Sequence, residues 1–283
     1  MLLSKMGAYL GLVRWMVCLS AFLMAIIGYW LAVHRFDLAN PRALWAALAV
    51  SAALAVANVL NDILDLPADR INYPERSLPS GRVSLAEARW LVVVCLVISL
   101  AGGLLAGGRM FLFTIFLLIA AAVYDLWANK IPLLGNVIVA TWCALILAAG
   151  YFVAPAGDLP LAPILAALFF ILAREFIETI SDDAGDQVGG RRSIYALWGQ
   201  TRVLQISLAL IILAVLVLLA PIFTLRLFSP SLYLLTLSLL LILPVGVAIV
   251  AVWRDQSAAN IRQVAHRVGV VFFSSFLSFL WLV

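Results

Sequence analysis

Two short stretches of this chain place carboxylates where apolar runs end. The first reads Ala57-Asn58-Val59-Leu60-Asn61-Asp62-Ile63-Leu64-Asp65-Leu66-Pro67-Ala68-Asp69-Arg70. If a helix continues to about residue 66, its period puts Asn58, Asp62 and Asp65 on one face, with Asp69 roughly one turn further on. The second reads Arg174-Glu175-Phe176-Ile177-Glu178-Thr179-Ile180-Ser181-Asp182-Asp183-Ala184-Gly185-Asp186. Asn58, Asp62, Asp65, Asp69 and Glu175, Thr179, Asp182, Asp186 repeat one spacing, and Asn61 corresponds to Glu178. Two acidic ladders are thus offered to one site.

Hard divalent cations such as Mg²⁺ prefer carboxylate oxygens and are commonly held by one or two carboxylates plus substrate phosphates. Two facing ladders could hold two such ions. Arg70, Arg76, Arg82, Arg191 and Arg192 follow closely and supply donors for phosphate oxygens, which carboxylates alone would repel. The bland alternative is a set of solvated residues closing a helix. Acids at helical spacing in a membrane-embedded segment are costly, and the duplicated spacing weighs further against it.

The elements that position the ladders are membrane spans. Of 283 residues, 66% are hydrophobic and 11% charged, whereas soluble domains carry about 25% charge. Spans of about 20 apolar residues are expected near 10–33, 43–66, 86–108, 111–128, 133–154, 162–181, 202–224, 231–253 and 264–283, nine in all. The fold class is therefore an all-α polytopic membrane protein. It reads as a single domain over 1–283, with a weak internal duplication of 1–130 and 131–260 plus a final helix. Pro244 is expected to kink the eighth span. The apolar stretch near Lys5 runs past signal-peptide length and reads as a retained first span.

Nine spans put every Lys and Arg except Arg35, Arg42, Arg109 and Arg226 on one side of the membrane. The positive-inside rule makes that side, and the N-terminus, cytoplasmic. All the acids except Asp37 and Asp158 fall there too, both ladders included. Bases confined to such loops orient a membrane protein, so the net charge of +4 does not argue for nucleic acid. Cys18, Cys95 and Cys143 lie singly in apolar runs, and His34 and His266 have no neighbouring ligands, so none forms a metal or redox motif.

The run Asn61-Asp62-x-x-Asp65-x-x-x-Asp69, followed by Ile71-Asn72-Tyr73-Pro74-Glu75-Arg76-Ser77-Leu78-Pro79-Ser80-Gly81-Arg82-Val83-Ser84, resembles the first signature of the UbiA superfamily of intramembrane prenyltransferases. It is most similar to the branch of digeranylgeranylglyceryl phosphate synthases and chlorophyll-synthase-like enzymes. The second ladder with Gly189-Gly190-Arg191-Arg192-Ser193 resembles that family's second aspartate motif, and Tyr124 and Leu133-Leu134-Gly135-Asn136 extend the likeness.

The resemblance implies a nine-helix bundle with a central cavity open to the cytoplasmic side. It also implies an isoprenyl diphosphate donor bound through Mg²⁺, and a lipid-facing tunnel for the donor chain. By position, Asn58, Asp62, Asp65 and Asp69 would bind the first metal and diphosphate, and Asp182 and Asp186 the second. Asn61 and Arg14 would contact the diphosphate, as would Lys130 or Asn129. The chain departs from the family at Thr179, where an aspartate leads the second motif and Glu178 or Glu175 would have to compensate. It departs again at Asn129, which stands at the usual lysine position and displaces Lys130 by one. The third departure is Trp15-Met16-Val17 after Arg14.

The implied reaction is ionisation of the allylic diphosphate, with its charge stabilised by Mg²⁺ and arginines. A lipid-soluble or amphipathic acceptor then captures the cation, all within the membrane lipids. Tyr124, Trp127 and Trp198 could shield that cation or simply anchor at the interface. Asp125 could orient or deprotonate the acceptor, or be a solvated helix-end acid. Two other readings use the same residues. A membrane terpene cyclase would keep the donor site and close the substrate on itself. An ion-coupled transporter or channel would spread acids through the bilayer, whereas these gather at one face.

Overall fold

The computed structural model describes residues 2–37, 39–154, 157–188, 193–224 and 229–282, and among these every regular element is helical. Seven segments are long and apolar enough to cross a bilayer: Trp15–Val33, Pro41–Leu64, Leu85–Ala106, Gly108–Leu126, Leu134–Val153, Ile194–Leu219 and Pro230–Arg254. Two further helices, α9 (Leu161–Val188) and α14 (Ala258–Ser275), occupy the stretches expected for the sixth and ninth spans. Both carry charges along their length, Arg174, Glu175 and Glu178 on α9, Arg262 and Arg267 on α14. Among the described residues, apolarity and length alone thus mark seven of the nine expected stretches, and α9 and α14 are the helices at the other two.

The first expected span is two helices. α1 (Leu2–Val13) stops where Arg14 takes a left-handed backbone, φ 55°, and α2 (Trp15–Val33) starts after it. The second span, α3 (Pro41–Leu64), opens with Asn40 accepting from the Arg42 amide and Pro41 in its first turn. It ends two residues sooner than periodicity suggests. Pro67 has no N–H for the Ile63 carbonyl and its ring crowds that oxygen, so the helix stops and Asp65 becomes a hinge. A short helix, α4 (Leu66–Asn72), then carries Asp69 in a new direction.

α5 (Leu85–Ala106) begins with a capping box between Ser84 and Glu87, and Gly107, at φ 127°, turns the chain into α6 (Gly108–Leu126). α7 (Leu134–Leu145) passes through a tight turn at Ile146–Ala148 into α8 (Ala149–Val153). α10 (Ile194–Leu219) starts eight residues before the stretch expected at 202, with a break at Gly199 where φ is 72°. After the short α11 (Pro221–Thr224), α12 (Pro230–Leu237) leads through a π-helical turn, Ser238–Ile242, into α13 (Leu243–Arg254). That distortion sits where Pro244 cannot donate to the carbonyl of Leu240.

α3 lies at the centre, packed against α2, α5, α6 and α8. Its Ala43, Ala46, Ala47, Ala49 and Ala53 are fully buried, because small side chains let helix backbones approach inside a bilayer. A close crossing joins Gly28 of α2 to Gly150 of α8: a Cβ on Gly28 would lie 2.0 Å from the Leu147 carbonyl oxygen, and one on Gly150 2.0 Å from the Tyr29 nitrogen. Large apolar side chains such as Leu104, Leu112 and Val247 stay exposed, as lipid-facing residues do.

Contacts join the loops within each end of the bundle. His34 Nε2 lies 3.0 Å from Asp158, and the Asp158 amide donates to the Ala32 carbonyl, joining two loops assigned to the poorly charged side. At the other end Lys5 meets Glu87 at 2.5 Å and Arg262 reaches Ser181 at 2.8 Å.

Candidate active site

The first ladder faces inward because α3 is buried on nearly every side, leaving Asn58 and Asp62 at 7% and 3% exposure. Two buried polar groups need partners, and the broken first span supplies them. The left-handed turn at Arg14 throws its guanidinium across α3, where Nη2 donates to Asp62 Oδ1 at 2.8 Å and Nη1 to Asn58 Oδ1 at 3.4 Å. Asn58 Nδ2 closes the link by donating to the carbonyl of Val13, which the same break leaves free of a helical partner.

The loop after α4 reaches back over these groups. Arg76 Nη1 lies 3.0 Å from both oxygens of Asp69 and 3.8 Å from Asp62. Burial pushes the Asp69 carboxyl above its ordinary value and Arg76 pulls it back, while Asp62 and Asp65 add their repulsion to the burial. The Arg76 guanidinium also stacks on the Tyr73 ring at 3.8 Å.

Tyr73 is the bridge between the ladders. Its hydroxyl donates to Asp182 Oδ1 at 2.6 Å, joining the loop after α4 to α9. Burial, then the neighbouring Asp182 charge, holds its proton on well above the ordinary range for a phenol. Arg262 of α14 completes the corner, 3.7 Å from Asp182 and 5.1 Å from the centre of the Tyr73 ring. Deeper on α9, Arg174 pairs with Glu178 at 2.5 Å and with Glu175 at 3.4 Å, and Gly269 of α14 leaves room for its side chain. The contact that ties the second ladder to the elements carrying the first is therefore the one at Asp182.

Asn61 links a third element. Its Nδ2 donates to Asp65 Oδ2 at 2.9 Å and to Asp125 Oδ1 at 3.2 Å. Asp125, at the end of α6, is 5% exposed, so it is not a solvated helix-end acid. Tyr124 is half-buried beside it.

The structure thus brings together Arg14, Asn58, Asn61, Asp62, Asp65, Asp69, Arg76, Asp125 and Asp182, with Glu178 on α9 paired to Arg174. It leaves others outside. Arg70 and Lys130 are exposed, and Arg82 is exposed and turned to Ser80 and the Glu75 carbonyl. The side chain of Asp186, and Arg191 and Arg192 entirely, lie outside the described residues. Thr179 spends its hydroxyl on the Phe176 carbonyl, and both Glu178 and Glu175, either of which would have to compensate for it, pair with Arg174. Trp127 is 59% exposed, and Trp198 packs edge-on against Phe176. Tyr73 and Arg262 were not expected in the site. Tyr73 lies inside the quoted signature, but nothing local signals a partner 109 residues away.

The donor set suits a hard divalent cation that also takes phosphate oxygens. Oxygen ligands come from several directions, and among the described residues no three acidic side chains gather tightly enough to enclose a metal unaided.

The model of the UbiA prenyltransferase family matches residues 20–278. This chain belongs to that family. It is accordingly a prenyltransferase, built as a multi-pass bundle of apolar helices. It is 33% identical over 218 residues to a digeranylgeranylglyceryl phosphate synthase of Sulfolobus acidocaldarius, covering 76% of this chain and 77% of the relative. The corresponding figures for the synthase of Methanocaldococcus jannaschii are 31% identity over 218 residues and 75% of each chain. Among solved structures, a digeranylgeranylglyceryl phosphate synthase superposes with a TM-score of 0.71 at 25% identity over 98% of this chain and 97% of the other. A UbiA homolog from Archaeoglobus fulgidus bound to GPP and Mg²⁺ shares the fold, with a TM-score of 0.70 at 19% identity over 96% and 99% of the two chains.

Proposed function

We propose that this prenyltransferase moves an isoprenyl group from a polyprenyl diphosphate to a lipophilic or amphipathic acceptor, with two Mg²⁺ ions, at the cytoplasmic face of a nine-span bundle. The observation that carries the reading is the Tyr73–Asp182 hydrogen bond, which draws the acids of α3, α4 and α9 to one corner with Arg14 and Arg76 between them. The names of the synthases it resembles favour a glyceryl phosphate lipid as acceptor.

Asp62, Asp65 and Asp69 would hold one ion with the diphosphate, and Asp182 and Asp186 the other. Bound Mg²⁺ neutralises charge developing on the departing diphosphate. Arg14 and Arg76 aim the carboxylates through their ion pairs and can turn donors toward phosphate oxygens. Tyr73 and Arg262 hold Asp182 in place. Low water access around buried Asn58, Asp62 and Asp125 strengthens these electrostatic contacts and limits hydrolysis of the donor.

The test measures labelled prenyl diphosphate consumption in membranes carrying Asp65→Asn or Asp182→Asn, followed by mass spectrometry of the product. Loss of donor turnover in both, with a prenylated lipid formed by the parent chain, is expected. Undiminished turnover in both variants refutes the site, and a released hydrocarbon or alcohol refutes the transfer.

A further inference from the structure

We infer that Asp125 is a positioning residue, which acts through Asn61 to aim Asp65. The inference rests on the proposed metal and diphosphate role of Asp65.

Asp65 caps the end of α3 with φ −89° and ψ 6°, outside helical geometry, and the chain turns there into α4. A carboxylate at such a hinge is not aimed by helix packing on both sides. Asn61, one turn back, reaches it, and its Nδ2 donates to Asp65 Oδ2 at 2.9 Å. An asparagine amide alone can turn over, exchanging its donor and acceptor ends.

Asp125 removes that freedom. Its Oδ1 accepts from the same Nδ2 at 3.2 Å, so both N–H bonds of Asn61 point at carboxylates and the flipped amide would set its oxygen against two anions. Asp125 is itself held. It is 5% exposed near the last turn of α6, and its backbone carbonyl accepts from Asn129 Nδ2 at 3.1 Å across the following tight turn, Ala128–Lys130. Asn129 stands where the family pattern has a lysine. Here it ties that turn back onto α6, which gives the substitution a structural purpose. The chain Asn129, Asp125, Asn61, Asp65 therefore transmits the position of α6 to a carboxylate of α3. Hydrogen-bonded partners behind metal ligands commonly change metal affinity about 10- to 100-fold when removed.

The experiment reads Mn²⁺ binding to the purified full chain by the loss of the free-ion EPR signal, with and without an unreactive thiolodiphosphate donor analogue. Asp125→Ala and Asn61→Ala are each expected to weaken Mn²⁺ binding about 10- to 100-fold, and their combination no further than the stronger single variant. Asp125→Asn retains an acceptor oxygen and is expected to recover most of the affinity. Asn61→Ala probes the same link from its other end should Asp125→Ala fail to fold. Unchanged Mn²⁺ affinity in a folded Asp125→Ala or Asn61→Ala protein overturns the inference. So does additive loss in the double variant, or an Asp125→Asn protein that binds Mn²⁺ normally but cannot turn over, the mark of a proton acceptor. Asp65→Asn separates the two levels: normal Mn²⁺ binding there refutes the metal role of Asp65 itself.

Discussion

Replacing Tyr73 by Phe deletes one oxygen and keeps the ring on which Arg76 stacks at 3.8 Å. What goes is a hydrogen bond of 2.6 Å to Asp182. Bonds to charged groups contribute about 1.5–3 kcal/mol net. Asp182 retains 30% side-chain exposure, so water replaces part of the loss and the lower end applies, about 1.5 kcal/mol, close to tenfold. Because the bond joins α9 to the loop after α4, the cost should fall on kcat/KM for the donor and on stability together. Steady-state turnover of labelled donor reads the first, and thermal unfolding in detergent the second. The pH dependence has a definite sign. The folded phenol holds its proton above the ordinary 10.0, so the bond's contribution is complete below about pH 10 and declines as pH rises through the folded value. The stability gap between the parent and Tyr73→Phe should stay level to pH 10 and then narrow. A Tyr73→Phe enzyme with unchanged kcat/KM, or one whose loss of thermal stability adds fully to that of Asp182→Asn, would refute the reasoning.

Arg14→Ala strips the ion pair from an Asp62 only 4% exposed. Arg14 is itself 35% exposed and Arg76 stays 3.8 Å away, so the cost is that of one hydrogen bond to a charged group, about 1.5–3 kcal/mol. Donor affinity by equilibrium binding should fall far more than in Arg14→Lys, which keeps the charge. Gly28→Ala puts a methyl 2.0 Å from the Leu147 carbonyl oxygen and should abolish folded yield on size exclusion, whereas Gly7→Ala, with nothing within 4 Å, should match or slightly exceed the parent's melting temperature. Gly269→Leu drives into Arg174, whose Nε lies 3.4 Å from where a Cβ on Gly269 would stand, and should lower both melting temperature and turnover.

Asp62 and Asp65 on α3 show how far local pattern reaches. Their helical spacing, the apolar runs behind them and the segregation of charge to one set of loops are properties of residues a few positions apart, and they sufficed for the membrane class, the acidic face and the family likeness. Periodicity failed where one residue overrode it. Pro67 ended α3 early and moved Asp69 onto α4, and Arg14 adopted a left-handed backbone inside an otherwise unbroken apolar stretch. Only the packed bundle decided that Arg14 would meet Asp62, that Tyr73 would meet Asp182, and that Asn61 would be held between Asp65 and Asp125. A pattern along the chain fixes which side of a helix is polar. Which distant polar group comes to satisfy it depends on how the helices cross, and that is set by close approaches such as Gly28 on Gly150.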